Sequence, residues 1–349
     1  MVSGLRSQVS GLRSQVSGLR DIYIDSLRGF AIFLVVFAHV FLWYRRSGII
    51  IPFGIKISNW IYTFHMPLLF MIAGYVHAMK DRYNTKYFLW AKKFMIDIYL
   101  PCLYFSLSQW LIMYFIFSVN NPANFGAAPI DELYAIPLIG YKEYWFLAIL
   151  FFIKIIHLIF ECNIKNTKIN TFFWIFMCIF LTFFGNKLPN FIIRILNSGI
   201  YFHVGYILKR CNYISQNNVP KILYGIIFIF AAMFLRHLSI NFANICYVLC
   251  VCLALFIIFY SLRITNKFFV KCGVYSMVIY CLHNFITATF RLIFMISGLA
   301  YSTNPLILFC VCFPFAMFAP LLVVWLYKHV KFLRWIEYIF YPGKLFYKK

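Results

Sequence analysis

Charged residues are scarce in this chain. Asp, Glu, Lys and Arg make up only 12% of its 349 residues, whereas they make up about 25% of a soluble domain. No hydrophilic block is long enough to form a second domain, which excludes a soluble enzyme with a single membrane anchor. Hydrophobic residues instead account for 64% of the chain, and aromatic residues for 22%. This composition predicts an all-α, polytopic integral membrane protein.

A cysteine pattern typical of disulfides or metal sites is also missing. The 11 cysteines are odd in number, and most lie inside apolar runs. Cys250 and Cys252 are two residues apart, as are Cys310 and Cys312, so the members of each pair point in different directions on a helix. No cluster of His and Cys has the spacing of a zinc site. We interpret the cysteines as small hydrophobic residues and predict no metal cofactor.

Acidic residues are few, 9 against 32 Lys and Arg, and the formal net charge is +23. The basic residues lie in short clusters between apolar runs, which is typical of topology signals and not of a nucleic-acid-binding surface. When the N-terminus is placed in the cytoplasm, 22 of them fall on cytoplasmic segments and 6 on outer segments. This asymmetry predicts an even number of spans with both termini in the cytoplasm. It also favours contact with acidic lipid headgroups or a polyanionic ligand.

The apolar runs predict about ten membrane-spanning helices. They lie near residues 28–45, 58–79, 94–117, 144–160, 171–186, 191–208, 222–236, 242–262, 273–296 and 305–327. Before them, residues 1–20 repeat the unit VSGLRSQ, which has too few apolar residues for a coiled coil and lacks the apolar core of a signal peptide. We therefore predict a disordered basic tail at 1–20, a membrane domain at 21–330 and a basic cytoplasmic tail at 331–349.

The first predicted span carries two ionisable residues, Arg28 at its cytoplasmic entrance and His39 near its middle. On a helix they project from nearly the same face, about 16 Å apart along the axis. Ionisable side chains inside a bilayer are costly and therefore commonly functional. The alternative is that Arg28 only anchors the helix at the membrane surface and that His39 is bonded to a neighbouring helix.

The second predicted span begins near His65, two residues before Pro67. Proline removes a backbone donor and opens the local backbone, and Gly74 further along permits close helix contact. We expect His65 at about the depth of His39. The alternative is a histidine at headgroup level beside an ordinary kink.

Glu143 lies at the outer mouth of the fourth predicted span, just before Trp145. It could orient or deprotonate a histidine, or hold a hydroxyl group of a ligand. The alternative is a solvated loop carboxylate. In the ninth predicted span, His283, Asn284 and Arg291 place three polar side chains along one helix, which indicates a lined cavity and not a lipid-facing surface.

The first span, in which ten residues separate Arg28 from His39, resembles the signature of the acyltransferase family 3 membrane proteins. The segments YIDSLRG and FHMPLLFMIAGY are similar to that family's pattern. The most similar branch is that of the fucose 4-O-acetylase-like bacterial glycan O-acetyltransferases, in which a WFL element and a late histidine recur, here at 145–147 and His283. Ala73 departs from the family, which commonly has Ser there. The resemblance covers roughly residues 21–330.

This resemblance implies a membrane acyltransferase domain at 21–330 in a bacterial inner membrane. It implies transfer of an acyl group, usually acetyl, from cytoplasmic acyl-CoA to a sugar hydroxyl of a surface polysaccharide or glycolipid. Arg28 would then bind the CoA phosphates, and His39 would act as general base or form an acyl-His intermediate. Glu143 and His65 would assist catalysis or contact the acceptor. Membrane lipids are the other expected partner, and nucleic acid is not expected.

Two other classes of protein remain as alternatives. A transporter or flippase of glycan intermediates would show internal repeats, but the pair Arg28 and His39 has no counterpart in residues 180–349. A membrane glycan polymerase or glycosyltransferase would need a large polar loop for its sugar substrate. The longest loop, at about 118–143, is modest and holds few acids.

Overall fold

The computed structural model describes residues 21–46, 48, 51–80, 87–117, 130–164, 166–211, 220–236 and 241–346. All regular structure in these ranges is helical. The predicted tail at 1–20 lies outside the described residues, as do the last three residues of the predicted C-terminal tail. The expected fold class, an all-α protein with many apolar helices, is confirmed.

Sixteen α-helices are numbered here in chain order. The first eight are α1 Ile22–Arg46, α2 Pro52–Ala78, α3 Tyr87–Phe94, α4 Leu100–Phe117, α5 Ile130–Ile139, α6 Trp145–Ile159, α7 Thr167–Phe184 and α8 Asn190–Arg210. The others are α9 Pro220–Leu235, α10 Asn241–Ser261, α11 Lys267–Val274, α12 Ser276–Ile296, α13 Leu299–Ser302, α14 Pro305–His329, α15 Ile336–Phe340 and α16 Gly343–Phe346. Short π-helical turns at Met95–Tyr99 and Phe160–Ile164 and 3₁₀ turns at Lys142–Tyr144, Gly185–Lys187 and Lys331–Leu333 complete the described helical structure.

Nine helical segments within the described ranges are long and apolar enough to cross a membrane. A further apolar helix, Leu223–Leu235, is shorter and lies where the seventh span was predicted. The number of apolar helices therefore agrees with the expected number of about ten. The helix starts differ more from expectation, because α2 begins at Pro52 and not near residue 58. Proline fits the first helical turn, where its missing N–H has no helical partner, and His65 consequently lies inside α2 instead of near its start.

Aromatic side chains fill the space between α1 and α14. The rings of Phe41 and Phe309 stack with centroids 4.1 Å apart, and Phe33 meets Phe313 edge to face at 5.2 Å. Phe33 and Phe41 lie on one face of α1 together with Phe37, at spacings of four residues. His39 is two residues from Phe37, so it lies on the opposite side of α1. This packing directs His39 away from α14 and towards α2 and α12.

Two glycines allow α2 and α8 to cross in backbone contact. A Cβ atom placed on Gly74 would lie 1.8 Å from the carbonyl oxygen of Phe202, and one placed on Gly205 would lie 1.9 Å from that of Met71. Real Cβ atoms do not approach so closely, so any larger residue at either position would force the helices apart. The expectation that Gly74 permits close helix contact is confirmed. This crossing, defined by Gly74 and Gly205, fixes the position of α2 relative to α8.

Candidate active site

A pair of buried histidines joins α1 to α12. Nδ1 of His39 lies 2.9 Å from Nε2 of His283, and the two rings are nearly parallel with centroids 5.1 Å apart. The other ring nitrogen of His283, Nδ1, lies 3.0 Å from the carbonyl oxygen of Ile279. A carbonyl oxygen only accepts, so Nδ1 of His283 donates to it.

These contacts determine the tautomer of the neutral pair. Because Nδ1 of His283 carries its hydrogen, Nε2 of His283 has the lone pair and accepts. Nδ1 of His39 must then donate to it. The lone pair of the His39 ring consequently lies on Nε2, which makes Nε2 the proton-accepting atom of this side chain.

His65 lies beside this pair on α2. Its ring is perpendicular to that of His39, with centroids 6.3 Å apart. Its Nδ1 donates to the carbonyl oxygen of Ile61 over 2.8 Å, and its Nε2 has no hydrogen-bond partner among the described residues. Two residues later, Pro67 removes the N–H that would bond the carbonyl of Thr63. The expectation that His65 lies at about the depth of His39, beside an opened helix backbone, agrees with this geometry.

A cavity of about 470 Å³ lies between these helices. His39, His65 and Glu143, the three residues expected from the sequence to do chemistry at the outer end, all line it. Polar side chains that the sequence did not identify line it as well: Tyr62, Arg194, Asn197, Ser198 and Asn244. Aromatic and aliphatic side chains make up the rest of the lining, and a mainly apolar lining with a few polar groups is the usual character of a ligand site.

Glu143 lies in the wall of this cavity and is carried by the 3₁₀ turn Lys142–Tyr144. The side chain is only 8% exposed, so the interpretation of Glu143 as a solvated loop carboxylate is wrong. The turn that carries it is attached to α12, because the hydroxyl of Tyr280 donates to the backbone carbonyl of Glu143. The hydroxyl of the next residue, Tyr144, donates to the carbonyl of Cys281 over 2.8 Å. Glu143 is therefore positioned by the same helix that carries His283.

Arg28 lies at the other end of α1, and the structure does not bring it to the cavity. Its Nη1 is 3.7 Å from Oδ1 of Asp25, and its side chain is partly exposed. Beside it, a Cβ atom on Gly29 would lie 1.7 Å from the carbonyl oxygen of Phe269, so α11 packs against the backbone of α1 here. We refer to the two ends of the bundle as the Arg28 end and the His39 end.

The late polar residues of α12 divide into two groups. His283 pairs with His39, whereas Asn284 and Arg291 are buried without lining the cavity. The expectation that these residues avoid the lipid-facing surface is therefore correct, but the cavity itself is lined from α12 only by Tyr280 among the described residues.

A second buried polar cluster, which the sequence did not reveal, lies around the C-terminal end of α2. The carboxylate of Glu161 has Oε2 3.2 Å from Nε2 of His77 and Oε1 3.6 Å from Nη2 of Arg210. His157 and His203 have ring centroids 5.4 Å apart in the same cluster. Although several histidines and a carboxylate meet here, no group of three or more His, Cys, Asp or Glu in the described ranges could hold a metal ion.

The described helices include nine segments that are long and apolar enough to cross a membrane, and His39, His65 and Glu143 line one cavity among them. A family model described as an acyltransferase domain matches residues 21–325, and the chain therefore belongs to the acyltransferase family 3. It is a membrane acyltransferase. Comparison with curated proteins and with solved structures gave no match.

Proposed function

We propose that this enzyme transfers an acetyl group from acetyl-CoA to a sugar hydroxyl of a surface polysaccharide or glycolipid. In this proposal it lies in a bacterial inner membrane with both termini in the cytoplasm, so that the Arg28 end is cytoplasmic and the His39 end is outer. The observation that carries the proposal is the tautomer of the histidine pair, which puts the lone pair of His39 on Nε2. An acyl transfer to a hydroxyl needs such a base at the acceptor.

In the proposed chemical step, His39 carries the proton from the acceptor hydroxyl to the leaving thiolate. Nε2 of His39 takes the proton of the hydroxyl while the hydroxyl oxygen attacks the thioester carbonyl. The new C–O bond forms, the C–S bond breaks, and the proton passes from His39 to the leaving thiolate. His283 accepts the hydrogen bond of His39 Nδ1–H throughout and so stabilises the imidazolium form. The alternative route, an acyl-His intermediate, would use the same Nε2 atom as nucleophile.

The acceptor would enter from the His39 end. Glu143, His65 and Arg194 line the cavity there and offer a carboxylate, a ring nitrogen and a guanidinium to hydroxyl groups of a sugar. Arg194 is held with its guanidinium carbon 5.1 Å from the ring centre of Trp145. A planar cation fixed on an aromatic ring loses little freedom when it binds a ligand.

Arg28 would bind the phosphates of CoA at the cytoplasmic face. Eleven residues of helix place it about 16 Å from His39 along the axis, which gives the pantetheine arm a path from the phosphates to the base. We expect Arg28→Gln to raise KM for acetyl-CoA about tenfold and to leave kcat nearly unchanged, because a charge-assisted hydrogen bond contributes to donor binding only. Thiol release by the purified protein measures both constants.

The control for Arg28 is Arg28→Lys, which keeps the positive charge and should recover part of the affinity for acetyl-CoA. An unchanged KM in a folded Arg28→Gln protein would remove the proposed role.

The decisive experiment on the function is mass spectrometry of the surface glycan from cells with and without this protein. We expect one acetyl increment on a defined sugar to disappear when the protein is absent. An unchanged acylation pattern combined with less glycan, or with glycan retained inside the cell, would instead support the transporter alternative.

A further inference from the structure

A second cavity of about 490 Å³ adjoins the active-site cavity at the His39 end. Lys56, Asn59, Trp60 and Thr63 of α2 line it, together with Arg236 just after α9. Thr63 also lines the active-site cavity, so the two cavities share one wall. We call this second cavity, which lies next to the one at His39, the side cavity.

The side cavity concentrates positive charge on the side of the protein that has the least of it. In the proposed topology only 6 of the 32 Lys and Arg lie on outer segments, and two of these, Lys56 and Arg236, meet here from distant parts of the chain. None of the described residues that line the side cavity is acidic. Two cations around one cavity attract an anion and can bind a carboxylate or a phosphate group.

An aromatic surface lies beside these cations. Trp60 lines the side cavity and is 44% exposed. An exposed indole face packs well against the apolar CH face of a sugar ring, and Asn59 next to it can bond hydroxyl groups. The active-site cavity repeats this combination, because Arg194 lies over the ring of Trp145 at 5.1 Å.

We propose that the side cavity binds an acidic sugar unit of the acceptor, one that carries a carboxylate or a phosphate group, while a neighbouring unit presents its hydroxyl to His39. This inference rests on the proposed function and specifies its acceptor as an anionic glycan. A phospholipid headgroup would satisfy the same two cations, but it would need no connection to the active-site cavity. The position of the side cavity next to the active-site cavity, with Thr63 in both linings, favours the glycan.

Binding of two matched oligosaccharides to the purified full-length protein in neutral detergent tests this proposal. The probes are oligogalacturonate and its carboxyl-reduced, neutral form, with affinity measured by microscale thermophoresis. We expect the acidic form to bind about tenfold more tightly, since each charge-assisted contact adds to affinity. The double variant Lys56→Gln/Arg236→Gln should bind both forms equally, whereas Trp60→Ala should weaken both.

Lys187→Gln is the matched control, because Lys187 is another exposed basic residue on a predicted outer segment and lines neither cavity. It should keep the full preference for the acidic form. Equal affinity of the unmodified protein for both forms, or no measurable binding of the acidic form, would overturn the proposal.

A second arm separates the glycan from lipid. The same proteins are reconstituted in vesicles of phosphatidylcholine with and without phosphatidylglycerol, and bound phosphatidylglycerol is measured. If the double variant loses phosphatidylglycerol but keeps its preference for oligogalacturonate, the side cavity is a lipid site and the proposal is wrong. If the side cavity proves to be a lipid site, the proposal of acyl transfer at His39 still stands. If the acylation pattern of the surface glycan does not depend on the protein, the proposed function is wrong even when acidic glycans bind.

Discussion

His39→Asn is expected to lower kcat for acyl transfer by about 10²–10⁴-fold, the range that a general base contributes. The asparagine amide can occupy the place of Nδ1 and still donate to Nε2 of His283, so the contact between α1 and α12 is kept. It has nothing at the position of Nε2, and the proton of the acceptor hydroxyl then has no carrier. Release of the CoA thiol in the presence of the acceptor glycan measures the loss.

Two comparisons make the result interpretable. His39→Ala should show the same loss of activity, because it also lacks Nε2. His203→Gln replaces another buried histidine that lies outside the cavity, bonded to Thr171 at 3.1 Å, and should keep its activity. A His39→Asn protein that elutes as a folded species and retains the original kcat would show that His39 is not the base.

His283→Phe is the second substitution with a large expected effect, a fall in kcat of about 10- to 100-fold with KM nearly unchanged. Phenylalanine keeps an aromatic ring beside His39 but cannot accept the hydrogen bond of His39 Nδ1–H. The ring of His39 is then free to adopt the other tautomer, in which Nε2 carries the hydrogen and cannot act as base. Steady-state kinetics with both substrates separates this from a loss of binding.

The conservative variant His283→Gln distinguishes a positioning role from a purely structural one. Its side-chain oxygen can accept from His39 near the position of Nε2, so it should recover most of the activity that His283→Phe loses. If His283→Gln were as inactive as His283→Phe, or if His283→Phe were fully active, the tautomer argument would be wrong.

The sequence predicted the helices well because apolar runs between basic clusters are a strong physical signal in membrane proteins. It also placed His39, His65 and Glu143 at one end of the bundle, since the charge asymmetry determined the direction of each helix. The adjacency of particular helices carries no such signal. The partner of His39 is 244 residues further along the chain, and only the folded structure shows that α12 lies beside α1.

Two side chains show what the sequence did not reveal, namely the place of Arg194 in the cavity and the burial of Glu143. Arg194 lies near the edge of a predicted span, where a lone basic residue is typical of a topology signal, and its place in the cavity depends on the crossing of α2 and α8. Glu143 follows a loop in the sequence, but its turn is bound to α12 through Tyr280. Its burial depends on that contact and on no property of the local sequence.

The crossing of α2 and α8 has a consequence for the size of the ligand. Both helices run from the cavity to the crossing, because His65 and Ser198 line the cavity, and Gly74 and Gly205 form the contact. Along the helix axes, the crossing lies roughly 13 Å from His65 on α2 and roughly 10 Å from Ser198 on α8. Because Gly74 and Gly205 bring the two backbones into contact at the crossing, they limit how far α2 and α8 can stand apart at the cavity. Two residues that do not line the cavity therefore contribute to the width that this membrane acyltransferase leaves for a ligand.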